Sequence, residues 1–169
     1  MSTIEQLKRH HGIRSKGQYT LLRFEQRTTC FGSAFQQLDL ADHTGSIRAY
    51  VWPDGSLPAH LSATIPVRVQ ATLRSRSLDT WIVADLAAVH VLDPNEVVNA
   101  AALLPLEQCP PAARPALAKL VDFVARLRPD PLRDFLNRVL LDPEVATTLT
   151  RCRASQHHHH AQPGGLLTH

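Results

Sequence analysis

The stretch 35-FQQLDLADHTGSIRAYVW-52 decides the fold, because apolar and polar side chains alternate on both sides of a turn. Leu38 and Leu40 fall in one phase before the turn, and Ile47, Ala49 and Val51 fall in one phase after it. An alternation with a period of two places one set of side chains in a core and the other in solvent. The Thr-Gly pair at 44–45 is typical of a turn. The stretch therefore predicts two β-strands joined by a turn.

Similar runs on either side predict three further strands. They read QYTLLRF at 18–24, IPVRVQATLRSR at 65–76 and TWIVADLAAVHVL at 80–92. The segment 53–64, PDGSLPAHLSAT, leaves room for a short helix between the third and fourth strands. Five strands with a helix in that position is the layout of an OB-fold, a partly open barrel that binds oligonucleotides. An SH3-like barrel is the competing interpretation, although it usually lacks the inserted helix.

Helical patterns replace the strand patterns from Asn95 onward. The segment 94–105 is bracketed by prolines and predicts a short helix, and 110–130 and 131–142 carry apolar residues at helical spacing. A last helix is expected from Pro143, with Asp142 as its N-cap. The predicted fold class is therefore α+β, with an N-terminal five-stranded OB-like β-barrel followed by a small all-helical segment.

Charge and the positions of proline and glycine divide the chain into four predicted segments. They are a basic N-terminal arm at 1–16, an OB-fold nucleic-acid-binding domain at 17–93, a helical segment at 94–156 and a distinct tail at 157–169. Residues 1–30 hold six basic and two acidic side chains, whereas the whole chain carries a net charge of only +3. The arm suits a polyanionic partner, but a solvated, poorly ordered start fits its composition equally well.

Composition excludes several classes of protein. Hydrophobic residues make up 44% and charged residues 20%, which is an ordinary globular balance. The three cysteines are widely spaced and form no C-x-x-C pair, which argues against a structural zinc site or a disulfide framework. The N-terminus lacks the apolar core of a secretory signal, and no apolar run is long enough to span a membrane. A soluble, cytoplasmic protein is expected.

The polar face of the predicted barrel is the first candidate site. Single-stranded nucleic acid binds to aromatic faces, which stack on bases, and to guanidinium groups, which contact phosphates and rings. Strands two, three and four and the segment 74–81, interpreted as the loop before strand five, supply such side chains. The predicted contacts to single-stranded RNA or DNA are Phe35, Arg48, Tyr50, Trp52, Arg68, Arg74 and Arg76. The alternative is that Trp52 only closes the rim of the barrel.

The tail 157-HHHHAQPGGLLTH-169 is the second candidate site. The stretch 132–169, which ends in this tail, resembles the entry into the HD-type phosphohydrolase domain of bacterial 3′-to-5′ exoribonucleases that join an OB-fold to an HD domain. It is also similar to the related TraI-type domain of conjugative relaxase-helicase proteins, and 35–52 resembles the OB-fold signature of the same exonucleases. The resemblance implies that His169 is the first metal ligand, that His159 and His160 match an upstream pair, and that complete relatives bind a divalent Mn, Fe, Ni or Zn ion.

The departure from that family limits the expected chemistry. An HD site also needs a His-Asp dipeptide, which this sequence lacks, since Asp42-His43 has the reverse order. We therefore expect a truncated start of an HD-like domain at 157–169, with no catalytic residue, no cofactor bound by this chain and no activity alone. Two functions are expected: a nucleic-acid-binding portion of an OB–HD nuclease or relaxase-type protein, or a protein-binding adaptor. Helices left with exposed apolar faces between Leu117 and Thr150 predict a homo-oligomer.

Overall fold

A computed structural model of the chain describes residues 1–52, 67–78, 81–157 and 161–168. The chain divides into two compact units, Met1–Leu92 and Asp93–His169. The helix predicted within 53–64 lies outside the described residues. No helix among the described residues has both the length and the apolar character needed to cross a bilayer.

The first unit is a closed five-stranded barrel. Its strands are β1 (Arg14–Thr28), β2 (Ala34–Asp42), β3 (Gly45–Val51), β4 (Val67–Leu78) and β5 (Trp81–Val91). They are hydrogen-bonded in the order β1-β2-β3-β5-β4, and β4 closes the barrel by pairing with β1. All pairs are antiparallel except β3 with β5, which run parallel. The strand order and closure confirm the predicted OB-like barrel.

The alternation in the sequence forms the barrel core. The apolar side chains that alternate along β2 and β3 point inward, as the sequence predicts. Among them, Leu38, Leu40 and Ala49 are completely buried. Val69, Ala71 and Leu73 of β4 are buried in the same way. Their neighbours Arg48, Tyr50 and Arg74 point outward because successive side chains in a strand lie on opposite faces.

The start of the chain belongs to the barrel. Residues Ile4–Arg9 form a short helix, α1, with Thr3 as the N-cap of a capping box. Ile4 and Leu7 are buried with 0% and 1% exposure in the barrel core, and Tyr19 donates a hydrogen bond of 3.0 Å to the carbonyl of Ser2. The segment interpreted as a basic arm thus contains a packed helix and the first residues of β1. Burial of its apolar side chains fixes it in place.

The described part of the second unit contains four α-helices, α2 (Arg114–Arg126), α3 (Asp130–Leu141), α4 (Pro143–Arg151) and α5 (Gly165–Thr168), preceded by short 3₁₀ turns. Its core is built around Leu104, Cys109, Ala113, Leu117 and Ala146. Asp142 is confirmed as the N-cap of α4, because its carboxylate accepts from the backbone N–H groups of the second and third residues of the helix.

The helix predicted over 94–105 is wrong. Two single 3₁₀ turns, Pro94–Glu96 and Ala101–Leu103, occupy that segment. Side-chain amides replace the helical hydrogen bonds: Asn99 accepts from the N–H of Ala102, and Asn137 accepts from the N–H of Ala100 at 2.9 Å. Such local side-chain bonds compete with a regular helix.

The tail packs into the helical unit. The N–H of Gly164 donates to the carbonyl of Arg151 at 3.0 Å, and the N–H of Leu166 donates to the carbonyl of Cys152 at 3.1 Å. Gly164 and Gly165 are buried, and Leu167 packs against the core. The segment 161–168 is therefore an integral part of the unit, unlike an appended tag.

Replacing Gly164 by alanine is expected to destabilise the helical unit by about 2–4 kcal/mol. Gly164 has a φ of +76°, and an added Cβ would lie 2.7 Å from the Cβ of Ala113. Hydrogen exchange followed by mass spectrometry will show faster exchange in peptides from 93–168 and unchanged exchange in 1–92. Gly12→Ala is the control, since its φ is +80° but nothing lies within 4 Å of the added Cβ. Equal effects of the two substitutions would rule out the steric explanation.

Candidate nucleic-acid interface

Three aromatic rings cluster on the outer face of β2 and β3. The ring of Phe35 lies 5.8 Å from that of Tyr50 and 5.7 Å from that of Trp52, and Tyr50 and Trp52 are 6.4 Å apart, measured between centroids. The strand register explains the cluster, because the β2–β3 pairing ends with Gln36 opposite Val51, and Phe35 and Trp52 are the residues next to that last pair. Trp52 is 41% exposed. The structure thus brings three of the predicted site residues together with ring faces near solvent.

Arg48 lies on the same face, but its charge is balanced. It faces Asp39 across the β2–β3 pair, and its Nε donates to the Asp39 carboxylate at 3.0 Å. This hydrogen bond raises the pKa of Arg48 above its usual value. The guanidinium is held along the sheet, so a phosphate would have to compete with Asp39 for it.

Strands β5 and β4 extend the surface beyond Tyr50. In the register, Tyr50 faces Asp85 on β5, and Asp85 faces Arg74 on β4. With about 4.8 Å between neighbouring strands, Arg74 lies about 10 Å from Tyr50 along the sheet. Arg76 forms an ion pair with Asp85 at 3.3 Å, whereas the side chain of Arg74 makes no hydrogen bond or ion pair with a described residue.

The segment 74–81 is mostly strand, which corrects its interpretation as a loop. β4 continues to Leu78 and β5 begins at Trp81, and these two residues face each other in the register. The hairpin pairs almost to its tip because the alternation of β4 continues through 76. Arg74 and Arg76 consequently lie on a rigid strand.

The structure does not bring Arg68 to the aromatic cluster. Arg68 also points outward on β4, but it faces Thr20 on β1, six positions along the strand from Arg74. At about 3.3 Å per residue this separation is about 20 Å. Burial lowers the pKa of Arg68 below its usual value, which indicates a guanidinium partly withdrawn from solvent.

The β1 side of the aromatic cluster carries a charge network. Arg27 faces Phe35 in the register and donates to Glu25 from Nε at 2.9 Å and from Nη2 at 2.6 Å. Arg23 also contacts Glu25. The hydrogen bond from Arg27 lowers the pKa of Glu25. The two arginines therefore share one carboxylate and contribute about one net positive charge beside the rings.

Two exposed residues outside the predicted set lie near the two ends of β1. Phe31, in the loop between β1 and β2, is 92% exposed. Arg14 faces Arg74 across the β1–β4 pair, and its side chain makes no hydrogen bond or ion pair with a described residue. Phe31 has no strand pattern around it, and Arg14 falls within the segment 1–16 that is predicted to be a basic N-terminal arm. Arg14 and Arg74 together place two positive charges side by side on the described surface.

The tail gives no metal site that can be described. His159, His160 and His169 lie outside the described residues. Elsewhere in the described ranges, no group of three or more histidine, cysteine, aspartate or glutamate side chains is placed to hold a metal ion.

Comparison with known proteins identifies no family. No protein-family model and no curated protein matches the chain. Among solved structures, it is similar to a replication protein A heterotrimer bound to single-stranded DNA, with 17% identity, a TM-score of 0.39 and coverage of 49% of this chain and 61% of that one. The chain thus spans about three-fifths of that relative's length.

Two smaller proteins give comparable values. The second OB-fold domain of replication protein A from Methanococcus maripaludis shows 14% identity and a TM-score of 0.36, covering 49% of this chain and 87% of that one. The mitochondrial single-stranded DNA binding protein Rim1 from S. cerevisiae shows 11% identity and a TM-score of 0.34, covering 48% and 98%. The OB-like assignment rests on the strand order and closure of the barrel itself.

Proposed function

We propose that the barrel unit binds single-stranded nucleic acid across the outer face of β2, β3, β5 and β4. The observation that carries this proposal is the cluster of Phe35, Tyr50 and Trp52 with Arg74 two strands away. Bases stack on the rings, and phosphates reach Arg74 and Arg14 at the other end of the row. Single strands are favoured over duplexes because their base faces are free to stack on side chains.

The pairing of two arginines with carboxylates determines how much phosphate contacts contribute to the affinity. Arg48 and Arg76 are paired with Asp39 and Asp85, so stacking contributes more of the affinity than phosphate contacts do. We therefore expect a shallow salt dependence, corresponding to about two or three phosphate contacts at about 0.7 logarithmic units each for a single strand. Fluorescence anisotropy with labelled oligo-dT, oligo-rU and a duplex, over a range of salt, tests the proposal. Equal affinity for the duplex, or no binding at the lowest salt, would refute it.

Replacing Arg74 by alanine is expected to reduce the slope of log affinity against log salt by about 0.7 for a single strand. The loss should be similar for all base compositions, because phosphate contacts carry no sequence information. Arg126→Ala in α2 removes an exposed arginine of the other unit, which donates to the carbonyl of Asp122, and serves as the matched control. An unchanged slope in Arg74→Ala would remove Arg74 from the interface.

The context of an OB–HD nuclease or relaxase-type protein is part of the proposal. It is supported by the resemblance of 157–169 to the entry of an HD domain. In that context the barrel holds a single strand, and catalysis requires metal ligands beyond those of this chain. Addition of Mn²⁺ or Ni²⁺ to the purified chain with single-stranded RNA or DNA is expected to give no degradation, and processive 3′-to-5′ degradation by a nuclease-free preparation would contradict this.

A protein-binding adaptor is the second candidate function. It is favoured by exposed apolar side chains of the helical unit: Phe123 is 53%, Leu132 48% and Phe135 63% exposed. A soluble monomer rarely exposes a large contiguous apolar patch, and self-association is one way of covering such a patch. Sedimentation of the chain over a range of concentrations, with and without oligonucleotide, separates the two. Self-association that Phe135→Glu abolishes without a change in oligonucleotide affinity would assign the helices to protein contacts.

A further inference from the structure

The loop between β1 and β2 presents a single phenylalanine to solvent. Phe31 is 92% exposed, more than any other large hydrophobic side chain among the described residues. A phenylalanine side chain carries about 150–250 Å² of surface that folding normally buries. Leaving nearly all of it in solvent gives up a stabilising contribution, and it keeps the ring accessible to a partner outside the barrel.

The loop holds Phe31 in a defined place. The N–H of Thr29 donates to the carbonyl of Ser33 at 2.8 Å, and the N–H of Gly32 donates back to the carbonyl of Thr29 at 3.0 Å. The hydroxyl of Thr29 also accepts from the N–H of Ser33 at 3.1 Å. Gly32 has a φ of +84°, which a residue with a side chain adopts only with strain. These bonds close a short turn with Phe31 near its tip.

The loop leads directly into the aromatic cluster. β1 and β2 pair up to Thr28 and Ala34, and Phe35 follows at once. Four residues of chain span at most about 14 Å, so Phe31 lies within that distance of Phe35. At about 3.4 Å per stacked nucleotide, this is a span of no more than about four bases. The exposed ring is therefore within reach of the next bases of a strand held by the cluster.

Building on the proposed function, we infer that Phe31 is a further base-stacking residue, which extends the nucleic-acid site beyond Phe35 at the β1–β2 end. The next base along the strand, beyond those stacked on the cluster, covers the exposed ring of Phe31. The loop therefore marks one end of the bound segment. A nucleic acid is a better occupant than an apolar peptide, because the ring stands alone and Arg27 lies beside Phe35 at the base of the loop.

The test is a comparison of oligonucleotide lengths. Phe31→Ala should reduce affinity by on the order of 5- to 100-fold, the equivalent of one stacked base, for oligonucleotides long enough to reach the loop. Its effect should vanish for the shortest oligonucleotides that still bind. Phe31→Trp should retain affinity, and the thermal midpoint of Phe31→Ala should be unchanged because the side chain packs against little. Phe123→Ala, which removes an exposed phenylalanine of the helical unit, is the matched control.

The outcomes distinguish this inference from the function on which it rests. If Phe31→Ala binds every length like the native chain, while Tyr50→Leu and Trp52→Leu lose affinity, Phe31 is not a contact and the proposed function stands. If the native chain binds no single strand, the proposed function fails first. If Phe31→Ala alters the sedimentation of the chain but not its affinity, the ring belongs to a protein contact and the inference is overturned.

Discussion

Replacing Tyr50 and Trp52 together by leucine is expected to lower the affinity for single-stranded oligonucleotides by about 1.5 to 4 orders of magnitude. Each ring that stacks on a base contributes about 1–3 kcal/mol. Leucine retains apolar bulk but offers no flat face, so the substitution removes stacking and little else. Both side chains point away from the core, which leaves the buried residues of β2 and β3 in place.

The losses of binding free energy in the two single variants should not sum to the loss in the double variant. The rings of Tyr50 and Trp52 lie 6.4 Å apart, and both are within 6 Å of Phe35, so removing one changes the surface offered by the others. Residues in contact commonly show coupling of about 0.5–3 kcal/mol. Anisotropy titrations of the native chain, both single variants and the double variant measure this coupling directly.

The control for the double variant is Phe135→Leu, which changes an aromatic residue of α3 that is 63% exposed. Its affinity should equal that of the native chain. Far-ultraviolet circular dichroism checks that the barrel remains folded. A folded double variant with native affinity would show that the strand does not bind on this face, whichever basic residues take part.

The sequence was sufficient to place the aromatic cluster. Strand alternation puts Phe35, Tyr50 and Trp52 outward, and the short turn between Asp42 and Gly45 sets which residues of β2 and β3 face each other. The same register pairs Asp39 with Arg48. Local pattern and a tight turn thus determine this half of the site, because every contact lies within one hairpin.

The rest of the site depends on contacts between residues distant in sequence. Arg68 and Arg74 have the same outward phase on β4, and only the pairing of β4 with β1 and β5 shows that they lie about 20 Å apart. The balance of Arg76 by Asp85 requires the register of a second hairpin. Phe31 has no periodic pattern at all, and its exposure is visible only in the structure.

Replacing Asp42 by alanine is expected to destabilise the barrel by about 2–4 kcal/mol, because three hydrogen bonds to a buried carboxylate are lost. Asp42 is 2% exposed and accepts from the N–H of Ile4 at 2.8 Å, from the N–H of Thr44 at 2.7 Å and from the hydroxyl of Thr44 at 2.6 Å. One carboxylate therefore fixes the first turn of α1 and the β2–β3 turn. Without it the N–H of Ile4 is left buried and unpaired.

The two tryptophans of the chain, Trp52 and Trp81, both belong to the barrel unit, so their fluorescence reports on its unfolding alone. For a unit of this size the midpoint should fall by on the order of 10–25 °C. Asp39→Ala is the matched control on the same strand, since it removes only the exposed pair with Arg48 and should cost under about 1 kcal/mol. Equal midpoints for the two variants would contradict the role of Asp42. A large loss in Asp42→Ala alone would mean that the Asp and Thr-Gly turn of the OB-like stretch stabilises the barrel through these hydrogen bonds.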